Sequence, residues 1–332
     1  MANYKKKPKR TDPSYSRVKK KPKTGTPAER FLRFQITTSA SADTETSHYL
    51  DIAKALSEIN RRHYRQGRTY SVRSVSVTSR NSSGALVSLG TVGNTWVARG
   101  AWNRGFQMWN KMNDLVLANQ PTRKSKYHDF KVYLTDDHRT SSNKLRPLDN
   151  GNNQAGEGEW VYSEMVSPDG TTSADAFKMH MLGDHNGSPG NWTSVSLIRS
   201  YGEARATVPN TSVPAIDGGG DDDPILNLFD DGTQVDEIAQ NLDSYGDLTP
   251  YANDSTLIGE NYPGSSGNLP KPMVQRLGSL SNTSNGMLRL GGFDAICGLV
   301  EIEVASQQPN DTLDIIVEIA QGDYKGVKAD VI

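Results

Sequence analysis

The chain has almost no cysteine and no long apolar run. Cys297 is the single cysteine in 332 residues, so no intrachain disulfide framework can form. We expect it to be a small buried apolar residue within the run AICGLVEIEV. No stretch approaches the roughly 18 apolar residues of a membrane span, which predicts no membrane insertion. The charged N-terminus lacks the apolar segment of a secretory signal, so an intracellular protein is expected.

The sequence also lacks the motifs that carry chemistry. It has no G-x-x-x-x-G-K-[ST] loop, no strand-anchored G-x-G-x-x-G and no G-x-S-x-G elbow. His180 and His185 are five residues apart, which matches no common zinc pattern, so we interpret them as surface or turn histidines. The sequence therefore predicts no enzyme, no catalytic residues and no cofactor.

One acidic loop has the composition of a hard-cation site. Carboxylates on a flexible loop suit Ca²⁺, and four lie together at Asp217, Asp221, Asp222 and Asp223. Because EF-hand spacing is absent, we predict a solvated loop without metal and keep Ca²⁺ as the alternative. The loop belongs to residues 206–270, which hold twelve acids and no Lys or Arg.

Positive charge is concentrated at the N-terminus. Residues 1–33 hold twelve Lys or Arg against two acids, a net charge of +10, and the rest of the chain carries −11. Prolines interrupt this segment and aliphatic residues are rare, which predicts a disordered basic arm. A further group of arginines follows at 61–68. The predicted nucleic-acid-binding residues are Lys5, Lys6, Lys7, Lys9, Arg10, Arg17, Lys19, Lys20, Lys21, Lys23, Arg30, Arg33, Arg61, Arg62, Arg65 and Arg68.

The arm is suited to binding a polyanion. When about ten cations bind a single-stranded nucleic acid, the log of the affinity falls with the log of the salt concentration with a slope of roughly −7. Phosphate contacts confer little sequence specificity. Tyr4 and Tyr15 could stack on bases. The run KKKPKR alone also fits a nuclear localisation signal, but two basic clusters exceed what such a signal needs.

Short β-prone segments dominate the body. Residues 31–38 alternate with period two, and further segments of this kind are 70–78, 85–98, 129–134, 159–166, 176–182, 194–200, 293–304 and 312–320. Helical spacing is confined to residues 48–66, 101–119 and 225–242. The second of these carries the stripe Trp102, Phe106 and Trp109, which we assign to the core rather than to base stacking.

Strands and helices do not alternate one for one, which argues against a parallel sheet. The pattern predicts an all-β fold: a single jelly-roll sandwich of about eight antiparallel strands with helical and loop insertions, and a disordered basic N-terminal arm. The arm is placed at 1–33 and the jelly-roll domain at 34–332, with 206–270 as an acidic, surface-projecting insertion.

Several segments resemble known capsid proteins. The chain is similar to capsid proteins of small circular Rep-encoding single-stranded DNA (CRESS-DNA) viruses, and the likeness spans most of its length. The matching segments are EWVYSEMV (159–166), LFDDGTQVDEIAQNL (228–242), the TPY and NYPG elements of 249–264, GGFDAICGLVEIEV (291–304) and IIVEIAQGDYKGVKA (315–329).

The resemblance implies a single jelly roll, self-assembly into an icosahedral shell, and packaging of single-stranded DNA by the arm. It places the protein in the virion and, during assembly, in the host nucleus, with a nuclear import receptor as a further partner. Two alternatives stay open: a nucleic-acid-binding β-sandwich that does not assemble, and a hydrolase on a jelly-roll scaffold. The hydrolase needs converging polar side chains that the sequence does not offer.

Overall fold

The computed structural model describes residues 27–81, 83–123, 126–167, 175–188, 191–203, 271–282 and 286–332. Most of the predicted arm, the predicted helix at 225–242 and the acidic segment 206–270 lie outside these residues. The four aspartates of the candidate Ca²⁺ loop lie outside them as well.

The described residues are mostly β-structure. The strands are β1 (Phe31–Thr37), β2 (Thr46–Asp51), β3 (Arg68–Ser79), β4 (Ala85–Thr91), β5 (Glu164–Ser167), β6 (Asp175–His180), β7 (Asn186–Ser188), β8 (Asn191–Ser196), β9 (Met273–Leu280), β10 (Met287–Ile296), β11 (Leu299–Ser306), β12 (Thr312–Ile319), β13 (Gln321–Gly322), β14 (Gly326–Val327) and β15 (Ala329–Val331). The helices are α1 (Ile52–Asn60), α2 (Trp96–Leu117), α3 (Asp136–Thr140) and α4 (Leu197–Glu203), with a 3₁₀ turn at Pro121–Arg123.

Two antiparallel sheets form a sandwich-like arrangement. Sheet one has the order β1-β12-β3-β10, and β15 pairs with the start of β3. Sheet two has the order β2-β11-β4-β9. A smaller mixed sheet, β5-β6-β8-β7, lies in the long connection between β4 and β9, and β13 pairs with β14. The prediction of a mostly antiparallel β-protein is therefore confirmed.

The main core lies between the two large sheets because their strands alternate. In β1, Leu32, Phe34 and Ile36 point inward and are at most 2 % exposed. Strand β12 pairs with β1 and contributes Leu313 and Ile315 to the same core. Burying each such side chain contributes about 1.5–3 kcal/mol, which fixes the register, since a one-residue slip would turn them all outward.

A second core forms beneath helix α2. Thr95 caps the helix, its hydroxyl accepting a hydrogen bond from the Ala98 amide at 3.1 Å. Trp102 and Trp109 are each 6 % exposed and pack against Phe130, with Phe106 partly buried between them. The assignment of this aromatic stripe to the core is confirmed.

The structure corrects several predicted boundaries. The predicted helix 48–66 begins in strand β2 and turns helical only at Ile52, because its first residues pair with β11. Segments 85–98 and 194–200 each start as a strand and end as a helix. Residues 129–134 form no strand in the described structure, since their backbone groups bond largely to side chains and to isolated partners.

The segment 293–304, predicted as one strand, is a hairpin. Cys297 and Gly298 form its two-residue turn between β10 and β11, with φ angles of 58° and 68°. Positive φ at both turn positions matches the right-handed twist of the paired strands. Cys297 is fully buried, as predicted.

One histidine assignment is wrong. His180 is not a surface or turn residue: it ends β6 and is fully buried. Its two ring nitrogens contact the Ser194 hydroxyl at 2.6 Å and the Asp184 carbonyl oxygen at 2.9 Å. His185 is half-buried in the turn that follows.

Stability should fall as the pH drops from about 6.5 towards 4. Burial lowers the pKa of His48 to about 4, of His138 to about 3 and of His180 to about 4. An unfolded histidine titrates near 6.5, so in this window the unfolded chain binds more protons and is favoured. The stability present above pH 6.5 is therefore lost on acidification, by about 2 kcal/mol or more.

Buried carboxyls oppose this trend but do not cancel it. Burial raises the pKa of Asp51 to about 6, so the folded chain takes up that proton first, and it raises the pKa of Glu301 as well. The lowered pKa values of the three histidines outweigh the raised pKa of Asp51. Urea unfolding of the protein at about pH 7.5 and 5 measures the difference. His48→Leu should flatten the pH dependence, since His48 Nε2 is buried without a partner among the described residues; equal midpoints at both pH values would contradict the expectation.

Candidate nucleic-acid interface

The loop after α1 presents a cluster of arginines. Helix α1 ends where Arg61 adopts a left-handed conformation with φ 50°, and the Ser57 hydroxyl accepts a hydrogen bond from the Tyr64 amide at 2.8 Å. This closes the loop tightly and leaves Arg61, Arg62 and Arg65 exposed. The predicted extension of the basic surface onto the body thus corresponds to one exposed loop.

A groove of about 1070 Å³ lies beside this loop. Six Lys or Arg and two Glu line it, which makes it basic. The lining cations are Lys54, Arg61, Arg62, Lys126, Lys131 and Lys325. Positive charge concentrated in a groove attracts a phosphate backbone, since field lines are focused between low-dielectric walls.

Buried polar contacts hold one wall of the groove in place. The amide of the fully buried Gln66 donates to Asp51 Oδ2 at 3.0 Å and to the Val132 carbonyl at 2.9 Å. On the other side, the Ser163 hydroxyl accepts a hydrogen bond from the Lys131 amide at 2.9 Å. These contacts fix the irregular segment 129–134 and position Lys131 in the groove wall.

Aromatic rings accompany the cations. Tyr127 is 62 % exposed, and its ring centroid lies 5.8 Å from that of His63 in an edge-on contact. The His63 centroid lies 6.2 Å from that of Trp160. Lys131 Nζ lies 4.6 Å from the centre of the Trp160 ring. Basic groups interleaved with aromatic rings are typical of single-strand binding surfaces.

The C-terminal segment completes the basic surface. The Arg68 guanidinium stacks 3.7 Å from the Tyr324 ring centre and donates to the Ala329 carbonyl at 2.9 Å, so it has a structural role. Lys325 Nζ donates to the His63 carbonyl. Burial, and then the charges of Arg65 and Arg68, lower the pKa of Lys325.

The root of the arm lies at the rim of this groove. Arg62 Nη1 donates to the Pro27 carbonyl at 3.1 Å. Asn60 accepts from the Glu29 amide at 2.8 Å and donates to the Glu29 carbonyl at 3.0 Å. Pro27 therefore lies next to the groove, at the rim formed by Arg62.

Two further predicted residues, Arg30 and Arg33, lie at β1 and outside the groove lining. Arg33 pairs with Asp314 at 3.2 Å, and Arg30 donates to the Ile319 carbonyl at 3.0 Å. Arg33, assigned to the arm, is thus part of a strand. The ten predicted cations from Lys5 to Lys23 lie outside the described residues.

Sequence reasoning missed four groove cations: Lys54, Lys126, Lys131 and Lys325. They come from three separate parts of the chain that meet only in the folded state. The run RKSKY at 123–127 was a local signal for this site, because it combines basic residues with a tyrosine.

A second cleft, of about 760 Å³, lies against sheet two and is acidic. Its lining includes Asp136, Asp137, Asp184, Glu301 and Glu303. The described part of the body therefore carries a basic groove and a separate acidic cleft. Among these same residues, no group of three or more His, Cys, Asp or Glu is arranged to hold a metal ion.

No protein-family model, curated protein or solved structure matches this chain. In the ranges that the structure covers, no helix combines the length and apolarity needed to cross a bilayer.

Proposed function

We propose that the chain is a viral capsid protein of the CRESS-DNA type. In this proposal it is a single jelly roll that self-assembles into an icosahedral shell, and it packages single-stranded DNA through its Lys/Arg-rich arm. Its role is structural rather than enzymatic. The virion and, during assembly, the host nucleus are its proposed locations, and a nuclear import receptor is a proposed partner of the basic clusters.

The observation that carries the proposal is the nesting of eight strands. Apart from the short β15, which pairs with the start of β3, the strands of the two large sheets are, in chain order, β1, β2, β3, β4, β9, β10, β11 and β12. The first pairs with the eighth, the second with the seventh, the third with the sixth and the fourth with the fifth, always antiparallel. One long hairpin rolled into two facing sheets has this pairing, which supports a jelly roll.

The insertion pattern agrees with this architecture. Residues 92–272 enter between the fourth and fifth strands, at the tip of the rolled hairpin, and hold α2, α3, α4 and the small mixed sheet. An insertion at the tip leaves the nested pairing intact. It also adds helices and a small sheet outside the two large sheets without changing their strand order.

An exposed apolar face supports self-association. Strand β9 forms one edge of sheet two, and its Val274 and Leu277 are 57 % and 61 % exposed. On the neighbouring strand Leu86 is 45 % exposed and pairs with Ser279, two residues from Leu277. Adjacent exposed apolar side chains on an edge strand favour contact with another copy.

The charge distribution supports the packaging role. Pro27 lies at the rim of the basic groove and follows the arm's ten cations in the chain, so we expect one bound strand to contact both. Because the two regions are linked, binding of the polymer at one of them raises its effective concentration at the other. The acidic cleft is lined by different residues and repels nucleic acid.

Assembly of the full chain tests the proposal. Size exclusion with light scattering and negative-stain microscopy should show closed particles far larger than the 36.3 kDa subunit, and these should contain nuclease-protected DNA. A wild-type protein that stays monomeric or dimeric at every salt concentration while binding DNA would overturn the proposal. It would favour the non-assembling nucleic-acid-binding sandwich.

Leu277→Glu should prevent particle formation without unfolding the subunit. A carboxylate in an apolar contact between copies is desolvated without a partner, which costs several kcal/mol per contact and is repeated around a shell. Leu277→Met is the matched control and should assemble normally. Circular dichroism checks the fold. Normal particles from the glutamate variant would show that this face of β9 lies outside the contacts between copies.

A further inference from the structure

We propose that Tyr127, Lys126 and Lys131 form a subsite for one unpaired nucleotide, so that the groove binds single strands in preference to duplex. The inference rests on the proposed function only in taking nucleic acid as the ligand. It assigns a base-dependent contact to the folded body, in addition to the charge contacts of the arm.

Tyr127 is the proposed stacking platform. Its side chain is 62 % exposed and lies at the groove, and its ring meets the His63 ring at an interplanar angle of 62° with the centroids 5.8 Å apart. Lys126 Nζ lies over the Tyr127 ring, 5.5 Å from its centre. A base stacked on the ring would thus have a phosphate-binding group next to it.

Lys131 is a largely buried cation without an ion pair among the described residues. It is only 7 % exposed, yet its Nζ makes neither a hydrogen bond nor an ion pair with any of them. Its aromatic contact is the face of the Trp160 ring at 4.6 Å. Burial lowers the pKa of Lys131, and Asp129 and Asp51, neither of which is within ion-pair distance, act in the opposite direction. A phosphate oxygen in the groove would supply both the charge and the hydrogen-bond acceptor.

The subsite selects single strands for a geometric reason. In a duplex both faces of each base are stacked on neighbours, so a fixed tyrosine ring cannot reach one without unstacking the helix. A single strand exposes its bases at little cost. The groove cations contact the backbone of either polymer, so charge alone would not discriminate between them.

Oligonucleotides that lack bases separate stacking from charge. We would compare oligothymidine with an abasic oligomer of equal length, which carries the same phosphates. The full-length protein at nanomolar concentration should bind oligothymidine about tenfold more tightly. Tyr127→Ala should reduce this ratio several-fold and leave affinity for the abasic oligomer and for duplex unchanged. Tyr127→Phe should retain the ratio, because the ring is kept.

Two further measurements distinguish Tyr127 from the other exposed aromatic rings of the chain. Phe31→Ala removes an exposed aromatic ring on β1, outside the groove, and should change nothing. Photo-crosslinking with 5-iodouracil-substituted strands, mapped by mass spectrometry, should label Tyr127. Crosslinks confined to the arm tyrosines Tyr4 and Tyr15, or an unchanged ratio in Tyr127→Ala, would overturn the subsite.

Failure of the subsite and failure of the capsid proposal have different signatures. Particles that package DNA normally, formed by a protein that binds abasic and natural oligomers equally, would reject the subsite alone. A protein that never assembles but loses base-dependent binding on Tyr127→Ala would reject the capsid and support the subsite.

Discussion

Replacing Asp311 by alanine should destabilise the folded subunit by about 3–5 kcal/mol. Asp311 is fully buried at one end of the sandwich. Its carboxylate accepts hydrogen bonds from the hydroxyls of Ser79, Ser83 and Ser306, the last at 3.0 Å, and from the Asn81 amide at 2.9 Å. Alanine would leave the buried Ser83 and Ser306 hydroxyls and the half-buried Ser79 hydroxyl without their shared acceptor.

The size of this effect follows from what the carboxylate connects. Ser79 ends β3, Asn81 and Ser83 lie in the connection from β3 to β4, and Ser306 ends β11. The backbone amide of Asp311 donates to Thr38 just after β1, at 2.9 Å. Asp311 therefore joins the chain after β1, the connection from β3 to β4 and the connection from β11 to β12 at one point. Each buried donor left unsatisfied costs about 1–3 kcal/mol.

Urea unfolding and thermal melting of unassembled subunits measure the effect. A loss of this size lowers Tm by roughly 10 °C in a domain of this length. Asp311→Asn keeps the shape and one acceptor oxygen and should lose less. Asp323→Ala removes an exposed carboxylate and should stay within about 0.5 kcal/mol of wild type. An Asp311→Ala protein within about 1 kcal/mol of wild type would show that the network contributes little.

Neutralising the arm should empty the particles without preventing their assembly. The change replaces the ten Lys and Arg of residues 5–23 by glutamine and keeps the length of the chain. Losing about ten phosphate contacts should weaken single-strand binding about a thousandfold or more near 0.1 M salt, because each contact releases counterions. The slope of log affinity against log salt concentration should become less steep than roughly −7, because only the groove contacts remain.

The absorbance ratio of purified particles and the amount of nuclease-protected DNA report packaging. A shuffled arm with the same ten cations in a different order is the matched control. It should package normally, since phosphate contacts do not read sequence. Glutamine-armed particles that still contain full-length DNA would falsify the role assigned to the arm and shift it to the groove.

The proposed interface was predictable only in part. Arg61 and Arg62 stand out in the sequence because arginines cluster there, and both line the groove. Lys131 and Lys325 carry no such signal, because each is an isolated lysine in its own segment. Arg33 and Arg68 look equally basic in sequence, but one pairs with Asp314 and the other stacks on Tyr324. Which cations stay free depends on neighbours that are distant in the chain.

The sequence by itself determined the concentration of charge in the N-terminal arm, the mostly β character and the burial of alternate residues in strands such as β1. These follow from composition and from period-two patterning, which are local properties. Only the tertiary structure decided the nested strand pairing, the meeting of Lys54, Lys131 and Lys325 in one groove, and the position of Pro27 at its rim. Pairings such as Phe34 with Ile315 join residues far apart in the chain, and local propensity does not select a distant partner.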